Sequence, residues 1–184
     1  MRTAVLPMLF LLSGPVRAEA TGRVVGPDGA AIRGAEVCAY VEGTSELCAT
    51  TDAAGVYRVE KPAAPTLLVR ANGYVSRRVD AAPLTAPVEL QRAAILEVTV
   101  VDAVTRKPVP AGRVMLDSPS GRRIGTFVPF NARGVRISTL DPGDVFVRVE
   151  AEGYDPSGPV PVSLVSGSKK TLQVPLTKST VGGR

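Results

Sequence analysis

Cys38 and Cys48 are the residues whose type and spacing most directly imply chemistry. Each lies in a short apolar run, and an antiparallel pairing around Glu42-Gly43-Thr44 that sets Cys38 opposite Cys48 also sets Ala39 opposite Leu47 and Val37 opposite Ala49. One register satisfies all three pairs. Because successive residues of a strand point to opposite faces, Val37, Ala39, Val41, Leu47 and Ala49 are expected on a core face. Cys38, Cys48 and Tyr40 then share the other, where a disulfide would bridge neighbouring strands near the surface. Closing so short a loop stabilises by somewhat less than about 3 kcal/mol in the chain-entropy picture. The spacing fits no zinc motif, so neither metal nor cofactor is expected.

The remaining polar residues offer little to a catalyst. The chain has no His, which removes the commonest general base, Ser-His-Asp and Cys-His arrangements, and the usual zinc ligand. Asp52 and Glu60 flank a strand, while Glu150, Glu152 and Asp155 follow one another at a strand end. Solvated positions explain both groups better than an acid and base pair does. Asp102, Asp117, Asp141 and Asp144 fall in or beside turns without calcium-loop spacing, and no phosphate-cradling glycine loop is present. A Lys-Asn isopeptide is disfavoured too, since Asn72 and Asn131 and the lysines lie at turns or strand ends. No catalytic residue is expected, and the protein reads as no enzyme.

The elements that carry these residues repeat. Gly55-Val56-Tyr57-Arg58-Val59, a proline-bearing turn, and an alternating strand ending Gly73-Tyr74 recur as Gly134-Val135-Arg136-Ile137-Ser138, a second turn, and a strand ending Gly153-Tyr154. Short strands at near-regular spacing with turn residues between them, and no 3.6-residue apolar period, predict all-β sandwiches. Residues 1–20 read as a cleaved secretory signal: Arg2 supplies the positive start, residues 4–12 an apolar run, and Val16-Arg17-Ala18-Glu19-Ala20 the small residues a signal peptidase reads. The apolar run is too short to span a bilayer. The mature start is placed at Thr21, with Glu19 as the alternative. Residues 21–92 and 94–178 are then two small domains and residues 179–184 a tail, with the polar, Gly-rich stretch from Thr177 to Arg184 expected to be disordered.

Losing residues 1–20 leaves 20 basic and 16 acidic residues, a net charge of +4 against +5 for the whole chain. The positive charges are scattered, and without an aromatic ladder beside them nucleic acid is not an expected partner. Lysines and arginines on strand edges and loops serve instead to discourage edge pairing.

The opening of the first repeat, with Gly22, Asp28-Gly29, Ile32, Gly34-Ala35 and Val37, followed by Thr51-Asp52, Gly55 and Tyr57, resembles the carboxypeptidase regulatory-like domain. That resemblance implies a transthyretin-like (prealbumin-like) seven-stranded Greek-key β-sandwich, in two tandem copies after a signal peptide. It covers nearly all of residues 20–92 and, more loosely, residues 94–178, where Asn131-Ala132-Arg133-Gly134 replaces the signature. The transthyretin-related hydrolases share the fold but depend on His residues and a C-terminal Tyr-Arg-Gly-Ser sequence, neither of which this chain has. The family members are mostly folding, spacing or interaction modules. Turn chemistry accounts for the signature itself: positive φ at Gly55, an Asx-turn at Asp52 next to Thr51, and a strand end at Gly73 where a side chain would clash. A secreted or periplasmic accessory protein is therefore expected, whose partner is another envelope or secreted protein, with a glycan as the alternative ligand. Tyr40 is the one ring left free for a glycan, since Tyr57, Tyr74 and Tyr154 read as structural.

Overall fold

A computed structural model describes residues 19–39, 47–60, 66–80, 86–125 and 127–180. The turn at Glu42-Gly43-Thr44, Tyr40, the turn between Lys61 and Pro65, residues 1–18 and residues 181–184 lie outside the described residues. The strands are β1 (Glu19–Val25), β2 (Glu36–Ala39), β3 (Leu47–Thr50), β4 (Val56–Glu60), β5 (Thr66–Arg70), β6 (Arg77–Asp80) and β7 (Val88–Glu89). After them come β8 (Ala94–Asp102), β9 (Ala111–Asp117), β10 (Val128–Asn131), β11 (Val135–Leu140), β12 (Gly143–Glu150), β13 (Val160–Leu164) and β14 (Lys169–Leu176). No helix interrupts them among the described residues.

The four sheets form two sandwiches of identical topology. The first packs the sheet β4-β1-β7 on β3-β2-β5-β6, and the second packs β11-β8-β14 on β10-β9-β12-β13. Adding seven to each strand number of the first gives the second. In both, the last strand returns from the four-stranded sheet to pair parallel with the first strand of the other sheet.

Alternation fills the cores. Val24 on β1, Tyr57 and Val59 on β4, Val37 and Ala39 on β2, and Leu67 and Val69 on β5 close on one another in the first sandwich. In the second, Leu96, Val98 and Val100 on β8, Val114 and Leu116 on β9, Val147 and Val149 on β12, and Val174 and Leu176 on β14 do the same. Each fully buried Val or Leu contributes about 1.5–3 kcal/mol. The closing strand differs sharply between the two. β14 pairs with β8 over eight register positions, Lys169 to Leu176, whereas β7 pairs with β1 over two, Val88 and Glu89.

Four expectations need correction. Leu47 was placed on a core face, yet it is 48% exposed, at the start of β3, the sheet's edge strand. Cys38 was placed near the surface with Cys48, yet it is buried and only Cys48 is exposed. Gly73 has a φ of +80° with open space where a side chain would stand, so its backbone conformation, rather than a clash, calls for glycine. The tail predicted disordered from Thr177 onward begins with bonded backbone, as described below. β6 and β13 also escaped the sequence reading, β6 because Arg77-Arg78 reads as a charge pair.

Candidate interaction surface

Outward-facing positions of the four-stranded sheets carry the polar chemistry, and the two sandwiches use the same positions differently. On the first, Cys38 pairs with Cys48 and Val37 with Ala49, and Cys38 and Cys48 are joined by a disulfide with a Cα–Cα distance of 4.0 Å. Beside it Arg70 donates to Glu36 at 3.1 Å, and its guanidinium also lies 3.5 Å from Cys38 Sγ. Cys38, Cys48 and Glu36 could group around a metal ion only by geometry, because both thiols are consumed in the disulfide.

On the second sandwich the charge order is reversed. Arg113, paired with Glu150 across β9 and β12, donates to that carboxylate at 2.7 Å, where the first sandwich has Glu36 opposite Arg70. Phe127 stands between two guanidiniums, with Arg113 4.6 Å and Arg123 4.8 Å from its ring centre. The ring's negative face attracts both cations, and 45% of the residue remains exposed. Asp117 is only 4% exposed; its carboxylate lies 3.1 Å from Arg148 Nε and 3.7 Å from Arg123 Nε. Residues 118–124 fold back over this edge, Ser118 N–H donating to Arg122 and Ile124 N–H to Leu116. Three arginines, an exposed ring and two carboxylates thus form one face with its charges held in fixed positions.

The signature residues are bound up in turns. Thr51 is buried; its hydroxyl donates to Ile32 O at 2.6 Å and accepts from Ala35 N–H at 2.8 Å, tying the entry of β2 to the end of β3. Asp52 accepts from Ala54 N–H and Val56 N–H, both at 2.9 Å. Gly55, at φ +76°, would press a side chain against Val24 O at 2.5 Å. In the second sandwich Phe130 takes the place of Thr51, and a Cβ on Gly112 would lie 2.5 Å from its ring, whereas the first sandwich has Ala35 there. Asn131 repeats the Asx-turn by accepting from Arg133 N–H at 2.8 Å, and Gly134, at φ +89°, approaches the backbone of Val98. The divergent signature is therefore a coupled exchange, a large ring admitted by a lost methyl group.

Sequence reasoning treated the Gly-Tyr pairs as strand ends. The structure gives them a further role, as a clamp on the outgoing chain. Gly73 O accepts from Ala93 N–H and Val75 N–H donates to Gln91 O, both at 2.9 Å, with Tyr74 and Arg92 bridged between them. Gly153 O accepts from Ser179 N–H at 3.0 Å, Asp155 N–H donates to Thr177 O at 2.9 Å, and Tyr154 and Lys178 are bridged in the same way. The similar sequences around Gly73-Tyr74 and Gly153-Tyr154 were the signal, but the partner strands are unlike each other. The linker is held from the other side as well, Ser166 Oγ donating to Arg92 O at 3.0 Å.

Two hydroxyls in these regions are perturbed. Tyr57 is 1% exposed; its hydroxyl has no hydrogen-bond partner among the described residues, and burial raises its pKa. Tyr154 donates to Asp102 at 3.3 Å. Desolvation, then the neighbouring Asp102 charge, raises its pKa. Asp102 is shifted the opposite way, chiefly by the Thr105 N–H it accepts from. Asp102 and Tyr154 are thus bound to each other, and the Asp102 carboxylate is further occupied by the Val104 and Thr105 N–H groups. Tyr40, the ring on which the glycan expectation rests, lies outside the described residues.

The family model described as carboxypeptidase regulatory-like domain matches residues 20–93, the first sandwich together with the clamped linker. No curated protein matches the chain. Among solved structures, the chain is similar to the minor pilin GBS52 of Streptococcus agalactiae, at 14% identity and a TM-score of 0.44, covering 89% of this chain and 98% of that one. It is similar to the shaft pilin of Lactobacillus rhamnosus GG at 10% identity and a TM-score of 0.45, covering 90% and 99%. For the Bacillus anthracis TIE protein the figures are 15% identity and a TM-score of 0.42, covering 87% and 34%. At these values the similarities carry no argument about what this chain does.

Proposed function

We propose that this chain is a non-enzymatic, exported accessory or structural protein that acts through protein-protein contact, with the outer face of β10-β9-β12-β13 as its contact surface. The observation that carries this reading is Phe127, exposed yet held between Arg113 and Arg123. Aromatic rings and arginines are the side chains enriched where proteins bind each other, and a ring already fixed between two cations loses little freedom on binding. The first sandwich spends the matching positions on its disulfide and the Glu36–Arg70 pair, which suits a spacer. The clamp favours presentation at a set distance from the first sandwich. No helix among the described residues is long and apolar enough to cross a membrane, and the signal-like residues 1–20 support export.

A photo-crosslinking side chain at position 127, in protein exported from its native cell, tests the proposal against the same group at exposed position 78 on the first sandwich. One protein adduct at 127, absent at 78 and lost when Arg123→Glu is added, is the expected result. Adducts of equal yield at both positions, or none at 127, would overturn the assignment of the face.

A further inference from the structure

We infer that the Cys38–Cys48 disulfide is a thiol-exchange site with one point of entry: an incoming thiolate attacks Cys48 Sγ, and Cys38 leaves. The two sulfurs are bonded to each other, yet the fold treats them unequally. Cys38 lies on β2, inside the order β3-β2-β5-β6, and is 1% exposed. Cys48 lies on the edge strand β3 and is exposed. The rate of exchange depends on which sulfur is attacked and on access to it, so burial closes Cys38 to an incoming sulfur and leaves Cys48 open.

The surroundings of Cys38 suit it to leave. The Arg70 guanidinium donates to Cys38 Sγ at 3.5 Å, and a cation beside a departing sulfur stabilises the thiolate that forms. A sulfur so stabilised departs faster. Glu36 works against this, since it holds Arg70 Nη2 and Nε at 3.1 Å each, and its carboxylate and the two sulfurs lie within 4.8 Å of one another. The step balances with a thiol as the only co-reactant. A thiolate RS⁻ bonds to Cys48 Sγ as the Sγ–Sγ bond breaks, and the electron pair of that bond goes to Cys38 Sγ. A second RS⁻ attacking the outer sulfur of the mixed disulfide releases RSSR and the Cys48 thiolate, so two thiols are oxidised and the disulfide is reduced.

The folded, oxidised protein is treated with 2-mercaptoethanol, quenched early with N-ethylmaleimide and mapped by peptide mass. The expected result is the mercaptoethanol adduct on Cys48 and maleimide on Cys38. An adduct on Cys38, an even division between the two, or no adduct would overturn the inference. Arg70→Met should slow adduct formation roughly fivefold, the worth of one hydrogen bond, and Glu36→Gln should speed it. Both substitutions break the same ion pair, so a merely structural effect would move the two rates in one direction, and that outcome would overturn the part assigned to Arg70. A small thiol and a protein thiol share this chemistry. Repeating the reaction with a Cys-x-x-Cys protein whose second cysteine is Ser separates them: a Cys48 adduct formed faster than with 2-mercaptoethanol at equal concentration supports a protein source, and a slower one a small thiol.

Discussion

Cys38 and Cys48 face each other across β2 and β3, and the continuation of the matching register in the second sandwich brings Met115 of β9 opposite Phe127. One site is closed by a covalent bond, the other by a ring between two guanidiniums. The neighbouring ion pair keeps its place with its charges exchanged, Glu36–Arg70 against Arg113–Glu150. What accompanies the substitution explains it. The first sandwich has a two-residue closing strand, while the second has an eight-residue one and a core extended by Phe130, Val162 and Leu164. Small domains bury a limited share of their surface, and the one with the shorter ladder carries the disulfide. The second sandwich has no cysteine, and under the proposal its outer face serves contact.

Breaking the shared frame should cost most. Gly55→Ala and Gly134→Ala each combine a left-handed φ with a carbonyl against the new Cβ, and each should destabilise its own sandwich by about 3 kcal/mol or more, leaving the other transition in place. Gly73→Ala and Gly153→Ala have the same φ but open space, so about 1 kcal/mol is expected. Denaturant unfolding followed separately for each sandwich checks both figures.

The difference itself can then be sharpened. Phe127→Ala should cost the second sandwich about 1 kcal/mol, the sum of two exposed cation–π contacts, and nothing in the first. A Met115→Cys, Phe127→Cys pair should oxidise to a disulfide, detected as the loss of both free thiols. Thiols that stay free would mean the two sites do not correspond.

Acid and base should separate the sandwiches more gently. The Asp102 carboxyl is held below its ordinary 3.8 by the Thr105 N–H and the other donors around it, against opposing desolvation. It therefore contributes stability above 3.8 that is lost as pH falls through the lowered value. Tyr154 is raised above 10.0, so its contribution is present below 10 and lost as pH rises through the raised value. Position 26, the counterpart of Asp102, is glycine, so Asp102→Asn should flatten the acid limb of the second sandwich only, as read from thermal midpoints across pH.

Much of this frame was legible because it is written locally. The alternation along β2, β5, β9 and β12 and the cysteine register follow from period-two patterning, and the Gly55 and Asp52 turn from backbone preference. What escaped notice depends on distant residues. Nothing near Gly73-Tyr74 announces that residues 91–93 will dock there, and Thr177-Lys178-Ser179 reads as tail because it is polar and short. β6 was hidden by Arg77-Arg78, two exposed cations on an edge strand, of which Arg77 donates to Glu89 O of the facing sheet. The Arg113, Phe127 and Arg123 stack escaped because its members come from a strand and a folded-back loop with nine residues between Arg113 and Arg123. Leu47 misled for the opposite reason, since its alternation is sound but it opens an edge strand and stays exposed.

The most direct measurement is thermal unfolding of the exported protein with and without reductant. Two transitions are predicted, one of which falls on reduction by an amount corresponding to about 2–3 kcal/mol, while the other does not move. If both transitions shifted together, or neither did, the division between a stapled spacer and a self-sufficient contact sandwich would be contradicted.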